Sequence, residues 1–225
     1  MSVHPPRSEG ELMERAARLA GRRLGEIARE LKIPVPAHAV QAKGWTGTLL
    51  ETALGATAAS LPEPDFQAIG IELKSVPVHP DGRPRESTYI CTLPPPGGDP
   101  PLWEHSNVLR KLARVLFVPV VYETGAGFAH RLIGAPLIWS PSPEEESALR
   151  ADWEELMDMV CTGQVESITA HHGTHLQIRP KAANAAARQR GVGEDGAPAE
   201  TLPRGFYLRA SFTAAIFRRH YARAG

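Results

Sequence analysis

Asp65-Phe-Gln-Ala-Ile-Gly70-Ile-Glu72-Leu-Lys74, continued by Ser-Val-Pro-Val78, is the stretch around which the rest of the chain is read. From Gly70 onward, Ile71, Leu73 and Ser75 fall on one face of an extended segment, with Glu72 and Lys74 on the other. A strand packed on its apolar side would aim a carboxylate and an ammonium together at solvent or at a cleft. Gly70 can adopt the backbone angles that let the chain double back and bring Asp65 beside Glu72.

Two carboxylates held about 4 Å apart repel by roughly 4 kcal/mol at an effective dielectric near 20, so such a pair shares a proton or holds a cation. Oxygen ligands favour a hard ion such as Mg²⁺, which readily takes a phosphate oxygen as a further ligand. Lys74 would face that phosphate, stabilising negative charge and orienting an attacking water. The plainer reading makes Glu-x-Lys the wet face of an amphipathic strand, as most such triplets are. Asp65 upstream is what favours the metal reading.

The chain has 225 residues, enough to bury roughly 70% of its unfolded surface in one substantial core or a domain with two lobes. Cys91 and Cys161 lie far apart, which suits reduced, buried thiols in a cytosolic protein. The N-terminus is polar and no apolar run approaches the ~20 residues of a spanning helix, so neither a signal peptide nor membrane association is expected. Formal net charge is zero, but unevenly distributed. Residues 142–170 carry eight acids against Arg150 alone, whereas 171–225 carry nine Lys or Arg against Glu194, Asp195 and Glu200. The basic C-terminal stretch can attract phosphate or be simply a solvated surface.

In chain order, Ser8 to Glu11 reads as a capping box before a helix whose face is Leu12, Ala16 and Leu19. A second helix is expected over Leu24 to Leu31. Between Gly44 and Gly55 a short helix carries Glu51 among apolar neighbours, so its carboxylate is either capped by a partner or turned into a cleft. His79 to Pro84 is a turn signal, and Glu86 to Leu93 is expected to be the antiparallel partner of the Glu72 strand. Pro94 to Pro101 reads as a Pro/Gly loop.

Ser106 to Val121 changes from helical spacing to a continuous apolar run, a basic turn of helix feeding a buried strand. Arg131 to Trp139 reads as one strand. Ser142 opens an acidic helix with the core stripe Leu149, Trp153, Leu156, Met157 and Val160. His171, His172 and His175 resemble metal ligands, but Gly173 suggests a hairpin tip that scatters them, and no cysteine or acid completes a zinc set. Arg179 and Lys181, separated by Pro180, leave the strand Leu176 to Ile178 as a stiffened loop with two long cations, suited to a DNA groove. Leu202 to Arg209 is another strand-like segment, and Gly191 to Ala199 reads as a mobile surface loop.

Lys43-Gly-Trp-Thr-Gly-Thr-Leu-Leu-Glu51, Pro64-Asp-Phe with Gly70-Ile-Glu-Leu-Lys74, Trp153-Glu-Glu-Leu-Met-Asp-Met159, Gln177-Ile-Arg-Pro-Lys-Ala-Ala-Asn-Ala185 and Leu202-Pro-Arg-Gly-Phe-Tyr-Leu208 occur together and in order. In that combination, over about Leu19 to His220, the chain resembles the MutH family, the strand-discriminating endonucleases of bacterial DNA mismatch repair. The resemblance implies an α/β, restriction-endonuclease-like fold: a mixed central sheet flanked by helices, with a catalytic arm (about 1–105) and a DNA-reading arm (about 106–225) around a DNA cleft.

It also implies Mg²⁺-dependent nicking, with Mn²⁺ as a substitute, of the unmethylated strand at hemimethylated GATC sites. That activity would belong to a cytoplasmic monomer activated by the ATPase MutL, with MutS upstream. Carried over by motif, Asp65 and Glu72 correspond to the metal carboxylates, joined by the carbonyl of Leu73, and Lys74 to the catalytic lysine. Glu51 is the additional acid and Lys111 a basic residue near the scissile phosphate. Arg179, Pro180, Lys181 and Tyr207 match positions that read the site and sense adenine methylation, and Lys43 a DNA-contacting loop lysine. The alternatives are a GATC-specific restriction enzyme of the same fold and a DNA-binding module without catalysis.

Overall fold

The computed structural model describes residues 3–37, 44–58, 61–93, 102–123, 125, 127–181, 189–192 and 198–223. Lys43, the Pro94–Pro101 loop and residues 193–197 lie outside them. Contacts divide the chain into two interleaved units, one formed by 1–86, 113–140 and 216–225, the other by 87–112 and 141–215. The chain thus crosses between units four times, and neither is a continuous stretch such as 1–105 or 106–225.

In the first unit, β1 (Glu72–Val78) runs parallel to β3 (Val115–Val121), with Glu72 opposite Val115 and Lys74 opposite Phe117. The far edge of β3 pairs antiparallel with β5 (Leu137–Trp139) and then β4 (Leu132–Ile133), giving the mixed sheet that the resemblance implies. The segment 131–139, expected to be one strand, is broken between Ile133 and Leu137. The Gly134 amide still continues the pairing to the Pro119 carbonyl at 2.8 Å, but the register against β3 then moves by one residue before Leu137 faces Phe117, across Pro136, which has no amide to donate.

β3 reads as an uninterrupted apolar run because both of its faces are covered. Leu116, Val118 and Val120 meet a helical layer of α1 (Glu9–Leu19), α2 (Leu24–Glu30) and α3 (Trp45–Leu54). Phe117 packs instead on Trp139 and on Phe217 of α6 (Ala210–Arg223), ring centroids 6.0 and 5.7 Å away.

The helices begin where capping chemistry allows. Ser8 accepts from the Glu11 amide at 3.2 Å, while the Glu11 carboxylate reaches the Arg7 amide at 2.8 Å, one residue further out than a capping box would place it. Gly44 and Gly55 bound α3 in left-handed geometry, at φ 79° and 82°. Glu9 grips Arg114, immediately before β3, at 2.6 and 2.8 Å, and that hydrogen bonding holds the Glu9 carboxyl below its usual range.

In the second unit, β9 (Arg204–Leu208) is the centre of an antiparallel sheet between β2 (Thr88–Thr92) and β6 (Leu176–Pro180). This corrects the pairing expected for the Glu86–Leu93 strand. The turn after β1 does form, with His79 N–H donating to the Arg83 carbonyl at 2.8 Å, but the hairpin ends at the single bridge of Val78 to Pro84. The Arg85 amide still donates to the Pro77 carbonyl at 2.9 Å, but Pro77 has no amide to return the bond, and the pairing goes no further. α4 (Asn107–Leu112) packs on β2.

The acidic helix α5 (Pro143–Cys161) opens with a Ser142/Glu145 capping box and packs on β6, burying Leu149, Trp153, Leu156 and Met157. Val160 is only half-buried, whereas Asp152, outside the expected core stripe, is buried. Gly191 and Ala199 are not loop residues: β7 (Gln189–Val192) and β8 (Pro198–Thr201) form an antiparallel pair. Cys161 is exposed and Cys91 half-buried, so the expectation of two buried thiols does not hold. No helix among the described residues is long and apolar enough to cross a membrane.

Gly55 is a position where this framework requires glycine, because a Cβ there would stand 2.5 Å from the His4 carbonyl oxygen in addition to its positive φ. Gly55→Ala is expected to lower stability by about 1–3 kcal/mol, measured as a shifted urea midpoint with unchanged slope; an unshifted midpoint contradicts this account.

Candidate functional site

The first cluster is built by the bend that precedes β1. Phe66 and Ile71 exchange backbone hydrogen bonds at 2.9 and 3.4 Å across a 3₁₀ turn (Gln67–Ile69) that Gly70 closes at φ 64°. The Asp65 carbonyl takes the amides of Thr57 and Ala58 at 2.9 and 3.3 Å, anchoring the bend to the chain leaving α3. The Asp65 carboxylate folds back, and its Oδ2 accepts from the Leu73 amide at 2.8 Å. That nitrogen belongs to the peptide joining Glu72 to Leu73, so Asp65 is held at the root of the Glu72 side chain, as the doubling back at Gly70 requires.

Glu72 is 3% exposed and Asp65 8%, a degree of burial that two solvated surface acids do not show. Lys74 Nζ donates to Glu72 Oε1 at 2.7 Å, and the Lys74 side chain is only 13% exposed. Glu-x-Lys here is therefore not the wet face of a strand. Burying two carboxylates so close together is costly unless cations and hydrogen-bond donors meet them, as the Lys74 ammonium meets Glu72 and the Leu73 amide meets Asp65.

Glu51 sits on α3, which packs on β1, with its Oε1 lying back toward Gly47, 3.7 Å from where a Cβ would be. Among the described residues no three or more His, Cys, Asp or Glu side chains form a set able to hold a metal, so Glu51 does not complete a ligand triad with Asp65 and Glu72. Nor do His171, His172 and His175 form such a set. Mg²⁺ requires less, since it is commonly held by one or two carboxylates and keeps several waters. The all-oxygen donors of Asp65 and Glu72, with the Leu73 carbonyl, fit that ion. Lys111, at the end of α4 in the second unit, is buried.

The second cluster lies on the outer face of β2-β9-β6. Leu176 and Ile178 point into the core, which sends Gln177 and Arg179 to the other side. There Arg179 Cζ stands 6.0 Å from the centre of the Tyr207 ring, and Tyr207 meets Tyr89 edge to face at 5.3 Å. Lys181 Nζ lies 3.7 Å above the Tyr89 ring and hydrogen-bonds its hydroxyl, which also contacts Thr92 Oγ1 at 2.8 Å.

Cation, ring, ring and cation thus alternate across three strands. Such contacts contribute about 0.5–1 kcal/mol each at exposed sites and hold long side chains in preferred orientations. Arg179 and Pro180 are not in a loop as expected. They remain in the ladder opposite Gly205 and Arg204, and the Lys181 amide continues it to the Pro203 carbonyl at 2.7 Å. Tyr89 was missed by sequence reasoning, because a tyrosine in a strand gives no sign of which strand will lie beside it.

A family model described as the DNA mismatch repair enzyme MutH matches residues 54–152, a span that contains Asp65, Glu72, Lys74 and Lys111. Proteins named DNA mismatch repair protein MutH from Serratia proteamaculans (strain 568) and Yersinia pseudotuberculosis serotype IB (strain PB1/+) are each 52% identical over 217 residues, covering 96% of this chain and 95% of the relative. The Yersinia pestis (strain Pestoides F) protein of the same name matches to the same extent.

The Tyr89 ring depends on a glycine across the ladder: a Cβ at Gly205 would lie 2.8 Å from both Tyr89 Cε2 and the Cys91 carbonyl oxygen. In Gly205→Ala the overpacking should cost about 1–3 kcal/mol and change the tyrosine near-ultraviolet circular dichroism; wild-type values of both would refute the packing described.

Proposed function

Because the chain belongs to the MutH family of DNA mismatch repair enzymes, we propose that it is a metal-dependent endodeoxyribonuclease that nicks the unmethylated strand at hemimethylated GATC sites when activated by MutL. The observation that carries this reading is the buried Asp65–Glu72–Lys74 group at the head of β1. Asp65, Glu72 and the Leu73 carbonyl would hold Mg²⁺, which supplies Lewis acidity and neutralises charge at the phosphodiester.

The protein's own groups supply the remainder. The Leu73 amide fixes the Asp65 carboxylate before substrate arrives, so no reorganisation is required at that oxygen. Lys74, which donates to Glu72 at 2.7 Å, orients the attacking water and stabilises negative charge on the phosphate in the transition state. The water attacks phosphorus in line with the 3′ oxygen and loses a proton to solvent, the P–O3′ bond breaks, the leaving 3′ oxygen takes up a proton from solvent, and the 5′ phosphate stays on the downstream strand. Glu51 and Lys111 assist as a further acid and a further cation.

Arg179, Pro180, Lys181 and Tyr207 read the site and sense adenine methylation, and Lys43 contacts the DNA. One site per chain cuts one strand, consistent with a cytoplasmic monomer that MutS and MutL direct.

A plasmid carrying one GATC site, offered unmethylated, hemimethylated or fully methylated in Mg²⁺ with and without MutL and ATP, tests this directly. The expected products are nicked circles from the hemimethylated form, cut in the unmethylated strand and stimulated by MutL. Rapid linearisation irrespective of MutL would identify a restriction enzyme instead. Glu72→Gln and Lys74→Ala should each reduce nicking by roughly 10²-fold or more while duplex affinity is retained; persistent nicking removes both residues from the mechanism.

A further inference from the structure

β6 carries Arg179, and what fixes the start of β6 lies on α5. Asp152, 7% exposed, accepts from the backbone amides of three successive residues: Thr174 at 2.8 Å, His175 at 2.5 Å and Leu176 at 2.8 Å. Glu155, one turn further along the helix, accepts from Gly173 N–H at 3.2 Å. Four consecutive amides entering the strand therefore end on two carboxylates of one helix. Charge-assisted bonds of this kind are about twice as strong as neutral ones, and they offset the cost of burying the Asp152 charge.

The loop is closed from its other side by Arg209. Its guanidinium donates to the carbonyls of Ala170 and His172 at 2.7 and 2.9 Å, and its own amide donates to the His175 carbonyl at 2.8 Å. Gly173 turns the chain between these holds at φ 70°, and a Cβ there would collide with the Leu176 carbonyl and stand 3.5 Å from Asp152 Cγ.

Leu176 is the first ladder residue of β6, opposite Leu208. Because side chains alternate with a period of two, a slip by one residue would turn Leu176 and Ile178 out of the core and carry Arg179 to the opposite face. Hydrophobic patterning alone resists that slip; Asp152 adds a fixed point on the backbone itself. We infer that Asp152 is a positioning residue for sequence reading: by holding the entry of β6, it sets where Arg179 meets a base edge. The inference rests on the proposed reading of DNA by Arg179, and it differs from a merely stabilising role in what it does to specificity.

The test compares binding isotherms of the full chain on a GATC duplex and a scrambled duplex for wild type, Arg179→Ala, Asp152→Asn and the double variant, with thermal melting as the check of folding. Asparagine keeps one acceptor oxygen but turns an N–H₂ group toward the strand's amides. Asp152→Asn is expected to reduce the GATC preference at least tenfold, to leave scrambled-duplex affinity within about twofold because phosphate contacts govern it, and to add nothing to the loss in Arg179→Ala.

A uniform loss on both duplexes, or losses that add in the double variant, would overturn the inference. Should Asp152→Asn fail to fold, Gly173→Ala presses on the same loop from the other side and is held to the same two outcomes. Loss of preference in Arg179→Ala but not in Asp152→Asn sinks this inference alone. An unchanged preference in Arg179→Ala sinks the proposed DNA-reading role and this inference with it.

Discussion

The hydrogen bond from the Leu73 amide to Asp65 is the constraint on which the acid cluster depends. It ties a bend to the first peptide of β1, and everything around it maintains that geometry. The two-residue bridge of Phe66 and Ile71 closes the bend, the amides of Thr57 and Ala58 anchor it, and the Arg114 carbonyl takes the Glu72 amide at 2.9 Å. Around these bonds lie Leu49, Leu50, Leu54, Ile71 and Leu73, all buried in one core, so the polar geometry is held inside apolar packing that cannot easily shift. Glu72 gains its burial from this arrangement and Lys74 its partner. The acid cluster is therefore a consequence of how one strand begins.

The two clusters illustrate different ways of holding charge. At β1, two carboxylates are buried together, one of them against the Lys74 ammonium, and their oxygens are donors of the kind that suit a hard cation. On the β2-β9-β6 sheet, Arg179 and Lys181 rest on tyrosine rings, which steady the side chains while leaving Arg179 and Lys181 themselves exposed. The first suits a site that must neutralise a phosphodiester. The second suits one that must present cations without quenching them.

Much of this was legible in the sequence where the deciding physics is local. The period of two at Ile71, Leu73 and Ser75, the turn at Gly70, the apolar run of β3 and the capping residues of α1, α3 and α5 are set by neighbours a few positions away. What failed was non-local. The turn at His79 to Pro84 predicted a hairpin, but the partner of β2 lies more than a hundred residues downstream, and periodicity contains no information about which strand completes a sheet. Asp152 sits among seven other acids between 142 and 170, and no pattern distinguishes the one whose side of the helix meets a loop of unpaired amides. Tyr89 was missed for the same reason, since its role exists only once β9 and β6 lie beside β2.

The interleaving of the two units has a consequence for synthesis. The first unit takes its final piece from residues 216–225, where Phe217 of α6 packs on Phe117 of β3. Phe117 therefore receives the cover for that side of its ring from a residue a hundred positions downstream, and until that segment leaves the ribosome this face of the strand stays open. A nascent chain stalled short of α6 would leave that face of β3, an uninterrupted apolar strand, open to other chains.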